Sequence, residues 1–152
     1  INAGLPIVER SAHSYRVHYY EDDGSKAGLD ATVFSPTEDL KFINDTSAYI
    51  LIKTKINLAN VNLAFELYGA TDGRKSEILN HVVGGISAPP PALYQDDPTL
   101  PVGVVKQVDF AAWGAKASFD YRVTKEGKVM FEKTFISNYR PWQAVYLKGT
   151  KQ

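Results

Sequence analysis

The chain has 152 residues, enough to bury a core as one medium domain or as two small ones. Its 17 basic and 17 acidic residues give a formal net charge of +0, so no overall field favours nucleic acid or an anionic membrane. The absence of cysteine excludes disulfides, thiolate metal ligands and a cysteine nucleophile within these residues, but leaves the redox compartment open. No apolar run approaches the roughly 20 residues that span a bilayer, and no membrane span is expected.

The first half of the chain is predicted to consist of short strands and turns. Residues 1–5 are interpreted as the end of a helix, because Gly4 followed by Pro6 is typical of a helix stop. Alternating or β-branched patterns predict strands at 15–20, 41–43, 49–56 and 61–68. The last two strands flank the turn residues 57–60 and are expected to pair as a hairpin.

Consecutive prolines at 89–91 hold an extended conformation without backbone donors, which predicts a semi-rigid connector at 88–93. We therefore expect one domain at 1–87 and a second module at 94–152. Further strands are predicted at 104–110, 117–124, 129–136 and 143–147, with a hairpin turn at 125–128. No segment shows sustained helical periodicity, so the predicted fold is all-β: an antiparallel, β-rich first part and a small elongated β-meander.

Three polar residues near the start of the chain are candidates for chemistry. An imidazole titrates at about pH 6.5, so His13 could accept or give a proton at neutral pH, although a lone histidine is more often structural. Asp30 follows Gly28-Leu29 and either caps a turn or orients the imidazole. Arg10, after Glu9, is read first as part of an ion pair or a strand end and second as a clamp for a substrate carboxylate.

The sequence predicts neither a metal site nor a cofactor. His18 and His81 lie in separate elements without ligand spacing to each other or to His13. Asp22-Asp23-Gly24 lacks the further oxygen ligands of a calcium loop and is interpreted as a solvated turn.

Three segments of the chain resemble the VanW family: GLPIVERSAHS at 4–14, GLDATV at 28–33 and YRPWQAVYLKGTK at 139–151. Members of that family carry a Gly-Gly-Gly-x-Cys-Gln stretch just upstream of the first segment, which is expected to precede Ile1 in the natural protein. Some members act as L,D-transpeptidases that cross-link peptidoglycan through a cysteine thiolate. The resemblance implies that His13 activates this thiol and protonates the leaving amine, with Asp30 as orienting group and Arg10 gripping a D-amino acid carboxylate.

Residues 94–151 are similar to the G5 module of bacterial surface proteins, which is thought to bind glycans containing N-acetylglucosamine. The similarity lies in the order of Asp97-Pro98, Gly103, Gly114, Gly127 and Gly149-Thr150-Lys151. Aromatic rings stack on the apolar faces of sugars, and the candidates for that role are Trp113, Tyr139, Trp142 and Tyr146. Core packing is the simpler explanation for at least two of them.

Two functions from different classes follow from these resemblances. The chain is either the downstream half of a cysteine-dependent L,D-transpeptidase or a non-catalytic module that binds peptidoglycan or glycan; a structural adaptor without a ligand is the third alternative. The expected partners are a peptidoglycan stem peptide or glycan and the upstream segment of the same protein, with no nucleic acid. The expected location is extracellular and associated with the cell wall.

Overall fold

The computed structural model describes residues 1–16, 21 and 24–152. These residues form ten strands: β1 (Ile7–Glu9), β2 (Lys41–Phe42), β3 (Leu51–Asn57), β4 (Asn62–Tyr68), β5 (Lys75–Ser87), β6 (Leu93–Pro101), β7 (Val105–Asp109), β8 (Gly114–Lys125), β9 (Lys128–Tyr139) and β10 (Val145–Lys151). No helix occurs among the described residues, and the prediction of an all-β fold is confirmed. Most of the strand predicted at 15–20, and the acidic turn at 22–23, lie outside the described residues.

The prediction of a helix end at residues 1–5 is wrong. The segment forms a turn, in which the N–H of Gly4 donates to the carbonyl of Ile1 at 2.8 Å. The Tyr121 hydroxyl donates to the carbonyls of Ile1 and Leu5 at 3.1 and 3.0 Å, and its burial raises the pKa of this phenol to about 12. A buried tyrosine on β8 thus fixes the start of the chain, a contact across 120 residues that local sequence does not reveal.

The predicted hairpin is confirmed as the pair β3–β4, joined in antiparallel register from Leu51–Tyr68 to Asn57–Asn62. Alternation along both strands collects apolar side chains on one face. The larger apolar side chains on that face are between 40% and 70% exposed: Ile52, Ile56, Leu63, Phe65 and Leu67.

The main core lies on the antiparallel sheet β5–β8–β9. Alternate residues of β8 point inward, so Phe119, Tyr121 and Val123 are each at most 3% exposed. Phe119 stacks on Phe135 of β9 with ring centroids 5.4 Å apart, and Ile7 of β1 packs against this cluster. Ile7 thus connects the start of the chain to the core, while β1 pairs with β2.

The remaining sheet has the order β6–β10–β7. Strand β10 runs antiparallel to β7 but parallel to β6. Residues 88–92, most of the predicted connector, lie outside the strands, whereas β5 before them pairs with β8 after them. The division into 1–87 and 94–152 stays a prediction, since the main sheet draws strands from both ranges.

Candidate functional site

The loop that carries Asp30 lies directly against the main sheet. Ala27 is 5% exposed, Ala117 of β8 is fully buried, and both belong to one core cluster. Gly28 has φ +93°, and a Cβ atom at this position would lie 2.9 Å from Cβ of Ala117. Only glycine combines this backbone conformation with so close an approach, which places Asp30 beside the end of β9.

His13 and Asp30 form a hydrogen-bonded pair. His13 Nδ1 lies 2.7 Å from Oδ2 of Asp30, and the backbone N–H of His13 donates to the same oxygen at 3.2 Å. The imidazole is 27% exposed and the carboxylate 9% exposed. A carboxylate accepts and cannot donate, so it holds the proton of the neutral imidazole on Nδ1 and leaves Nε2 as the basic nitrogen.

The second oxygen of Asp30 is held from the opposite side. The Tyr139 hydroxyl donates to Oδ1 at 2.5 Å, and Nη2 of Arg10 lies 3.7 Å from the same atom. Burial opposes the ionisation of Asp30, but the hydrogen bonds from Tyr139 and His13 and the charge of Arg10 outweigh it and hold the pKa of this carboxyl below its usual range. Burial and the hydrogen bond to Asp30 raise the pKa of Tyr139 to about 12. The ionised aspartate and the neutral phenol therefore coexist at neutral pH.

Arg10 ties the Asp30 loop to β9. Its Nε donates to the carbonyl of Asp30 at 2.7 Å, Nη2 to the carbonyl of Gly28 at 2.7 Å, and Nη1 to the hydroxyl of Ser137 at 2.9 Å. The Arg10 side chain is only 5% exposed, and Ser137 is 1% exposed. The guanidinium is thus engaged within the protein, and its role as a clamp for a substrate carboxylate stays a prediction.

The segment that carries His13 is anchored on both sides. Ser11 bridges to Thr32, whose N–H donates to the Ser11 carbonyl at 2.8 Å. The N–H of Arg140 donates to the carbonyl of Ser14, also at 2.8 Å. These contacts place the imidazole between the Asp30 loop and the end of β9.

The four aromatic residues predicted to bind glycan occupy different environments. Tyr139 is 7% exposed and belongs to the Asp30 cluster, while Trp113 is 56% exposed. Trp142 packs against Tyr15 at 5.1 Å and donates from Nε1 to Asp109 at 2.6 Å.

Tyr146 stacks on Tyr94 with ring centroids 5.0 Å apart, and Lys148 Nζ lies 4.7 Å from the Tyr94 centroid. Glycan binding by any of these aromatic residues stays a prediction.

A cavity of about 370 Å³ lies next to the Asp30 loop. Apolar side chains dominate its lining, which includes Ile7, Leu29, Phe119 and Phe135, and Arg10 contributes from the site. In the part of the chain that the structure describes, no group of three or more His, Asp or Glu residues is arranged to hold a metal ion. Over the same residues, no helix is long and apolar enough to cross a membrane.

Fold and site together define an all-β protein with a histidine–aspartate pair at the edge of its main sheet. The sequence pattern of the family described as VanW like protein matches residues 1–68, a range that contains Arg10, His13 and Asp30. The VanW-type sequence predicted for the first part of the chain is therefore confirmed, and this match points to a protein of the cell envelope. No curated protein matches the chain.

Two solved structures similar to this chain are G5 domains. The G5 domain of an IgA1 protease is 16% identical, covers 55% of this chain and 100% of its own, and has a TM-score of 0.33. The G5 domain of HP0197 is 22% identical, covers 50% of this chain and 97% of its own, and has a TM-score of 0.24. Both are the type of module that the second part of the sequence resembles, but at these TM-scores neither likeness bears on function.

Proposed function

We propose that this chain supplies the general base and its orienting carboxylate to a cysteine-dependent L,D-transpeptidase of the bacterial cell envelope. The observation that carries the proposal is the 2.7 Å contact between His13 Nδ1 and Oδ2 of a partly buried, ionised Asp30. A base oriented by a third group is the arrangement that activates a nucleophile in acyl transfer. The chain itself has no cysteine, so the thiol has to come from another segment, which we expect upstream of Ile1.

In the proposed reaction, Nε2 of His13 takes the proton of the thiol, and the sulfur attacks an amide carbonyl of a stem peptide. As the carbon–nitrogen bond breaks, the imidazolium returns the proton to the leaving amine and a thioester remains. The amine of a second stem peptide then attacks the thioester, loses a proton to His13, and forms the new amide while the thiolate is released and reprotonated. Asp30 stabilises the imidazolium at each stage because its negative charge lies against Nδ1.

The test is the rate of muropeptide dimer formation by the natural protein and its variants. His13→Gln should abolish dimer formation, and Asp30→Asn should lower kcat on the order of 100-fold or more, because the amide no longer enforces the Nδ1–H tautomer. Asp96→Asn, the same chemical change at an exposed position of β6, should leave the rate unchanged. Retention of full activity by His13→Gln would overturn the proposal.

The second candidate is a non-catalytic module that binds peptidoglycan or its glycan strands. It is favoured by the 56% exposure of Trp113, because an exposed indole face can stack on a sugar. In a sedimentation assay with insoluble peptidoglycan, this candidate predicts that Trp113→Ala weakens binding while Asp30→Asn does not. Equal binding by the wild type and the Trp113 variant would argue against this use of the indole.

A further inference from the structure

We propose that Tyr139 is a positioning residue for the His13–Asp30 pair, holding the Asp30 carboxylate in the rotation that presents Oδ2 to the imidazole. This assigns to Tyr139 a role different from the glycan stacking expected from the sequence. It rests on the proposed function, because the orientation of His13 matters to catalysis only where a thiol is activated.

The geometry divides the two carboxylate oxygens between two partners. Oδ2 accepts from His13, and Oδ1 accepts from the Tyr139 hydroxyl at 2.5 Å. Since each oxygen has its own short hydrogen bond, rotation of the carboxylate about the Cβ–Cγ bond breaks both. Tyr139 is 7% exposed, so water cannot easily replace its hydroxyl.

Arg10 supplies the competing attraction. Its Nη2 lies 3.7 Å from Oδ1, beyond hydrogen-bond range, although it carries the full charge of the guanidinium. Without the phenol, Oδ1 loses its hydrogen bond and is drawn toward this charge, against the two contacts that His13 still makes to Oδ2. Such a rotation of the carboxylate draws Oδ2 away from Nδ1, so the carboxylate no longer holds the proton of the neutral imidazole on Nδ1.

Strand periodicity explains why β9 can perform this task. Ser137 and Tyr139 are two residues apart and therefore lie on the same face of the strand. Ser137 accepts from Arg10 and Tyr139 donates to Asp30, so the end of β9 holds both the arginine and the aspartate. In register, Tyr139 lies opposite Ala115 of β8, whose small side chain leaves room for the ring.

Several other charged or titratable groups lie around the His13–Asp30 pair. Arg10 and Tyr139 contact Asp30 directly, whereas Glu21 interacts electrostatically with Asp30 and with His81. Arg16 forms an ion pair with Glu21 at 2.8 Å and also interacts electrostatically with Tyr139. A variant that removes only the Tyr139 hydroxyl leaves all of these charges in place, so a change at His13 reports the lost hydrogen bond.

The experiment is long-range ¹H–¹⁵N NMR of the histidine rings in this 152-residue chain, comparing wild type with Tyr139→Phe. The chain has three histidines, and the ring signals that disappear in His13→Gln identify His13. We expect the neutral ring of His13 to be almost wholly the Nδ1–H tautomer in the wild type, and a mixture with the Nε2–H form in Tyr139→Phe. Tyr94→Phe, at a half-exposed ring stacked on Tyr146, is the matched control and should resemble the wild type.

An unchanged tautomer and titration midpoint of His13 in Tyr139→Phe would overturn the proposal. If this variant does not fold, the wild type can still refute the contact between Tyr139 and Asp30 through the ¹³Cζ signal of Tyr139. Burial and the hydrogen bond to Asp30 should keep this phenol protonated up to about pH 12. Ionisation at about pH 10, the ordinary value for a tyrosine, would show that it does not donate to Asp30.

Activity of the natural protein separates this role from the proposed function. In Tyr139→Phe, kcat should fall on the order of 10-fold with little change in KM, since part of the general-base contribution is lost. A tautomer change in this chain without any transpeptidation by the natural protein would sustain the positioning role and defeat the proposed reaction. Transpeptidation by the natural protein together with an unchanged tautomer would sustain the proposed reaction and defeat the positioning role of Tyr139.

Discussion

Replacing Gly28 by alanine should destabilise the fold through two separable effects. The backbone at Gly28 has φ +93°, a conformation that costs an L-residue about 1–2 kcal/mol. The new Cβ would lie 2.9 Å from Cβ of Ala117, an atom that cannot move without its strand. Overpacking of this kind adds about 1–3 kcal/mol, so the total loss in free energy of unfolding should be about 2–5 kcal/mol.

A matched glycine isolates the packing effect. Gly127, in the β8–β9 turn, has φ +75° and no atom within 4 Å of an added Cβ, so Gly127→Ala carries only the backbone cost of about 1–2 kcal/mol. In an Ala117→Gly background the contact is absent, and Gly28→Ala should then cost no more than Gly127→Ala. Urea unfolding followed by tryptophan fluorescence measures all four variants and the wild type.

The double-mutant comparison also tests the site. The carbonyl of Gly28 accepts from Arg10, and Asp30 follows two residues later, so a shifted loop should disturb the His13 ring signals as well. Equal destabilisation by Gly28→Ala and Gly127→Ala would refute the close approach of this loop to β8.

Three other outcomes are expected. Because the pKa of Asp30 is depressed in the folded state, its ionised form stabilises the protein above the unfolded pKa of about 3.9. The excess stability of the wild type over Asp30→Asn should therefore disappear as the pH falls through the lower folded pKa. Urea unfolding at a series of pH values measures this difference. Phe119→Ala removes a side chain that is 3% exposed and stacked on Phe135, and should lower the free energy of unfolding by about 3–5 kcal/mol in the same assay. Trp113→Phe should remove less than half of the fluorescence change on unfolding, because the surroundings of an indole that is already 56% exposed change little when the protein unfolds.

Local patterns predicted the elements that depend on neighbouring residues. The β3–β4 hairpin and the β8–β9 turn follow from alternation and turn residues close in the sequence, and both are present. The sequence does not predict strand β5 at Lys75–Ser87, because its partner β8 lies beyond the proline-rich stretch and that distant contact sets the pairing. The helix end predicted at residues 1–5 is a turn for the same reason, because Tyr121 holds this segment from β8.

At the site, the sequence singled out the polar residues but not the contacts between them. The structure brings together His13, Asp30 and Arg10, and their catalytic roles remain predictions. Ser137 and the hydroxyl of Tyr139 were not foreseen as partners of this cluster, because each lies more than 100 residues from the residue it contacts. The glycine at 28 was the one available signal, since it precedes Asp30 and permits the close approach of the loop to β8.

The most direct test of the proposed reaction is the intact mass of the natural protein before and after incubation with a tetrapeptide muropeptide. We expect a polypeptide that extends upstream of Ile1 through a cysteine and that gains the mass of one acyl group, removable by hydroxylamine as a thioester is. His13→Gln should not acquire this adduct, because its thiol lacks the base. A natural protein without cysteine, or a wild type that remains unmodified under conditions in which muropeptides are cross-linked, would contradict the account.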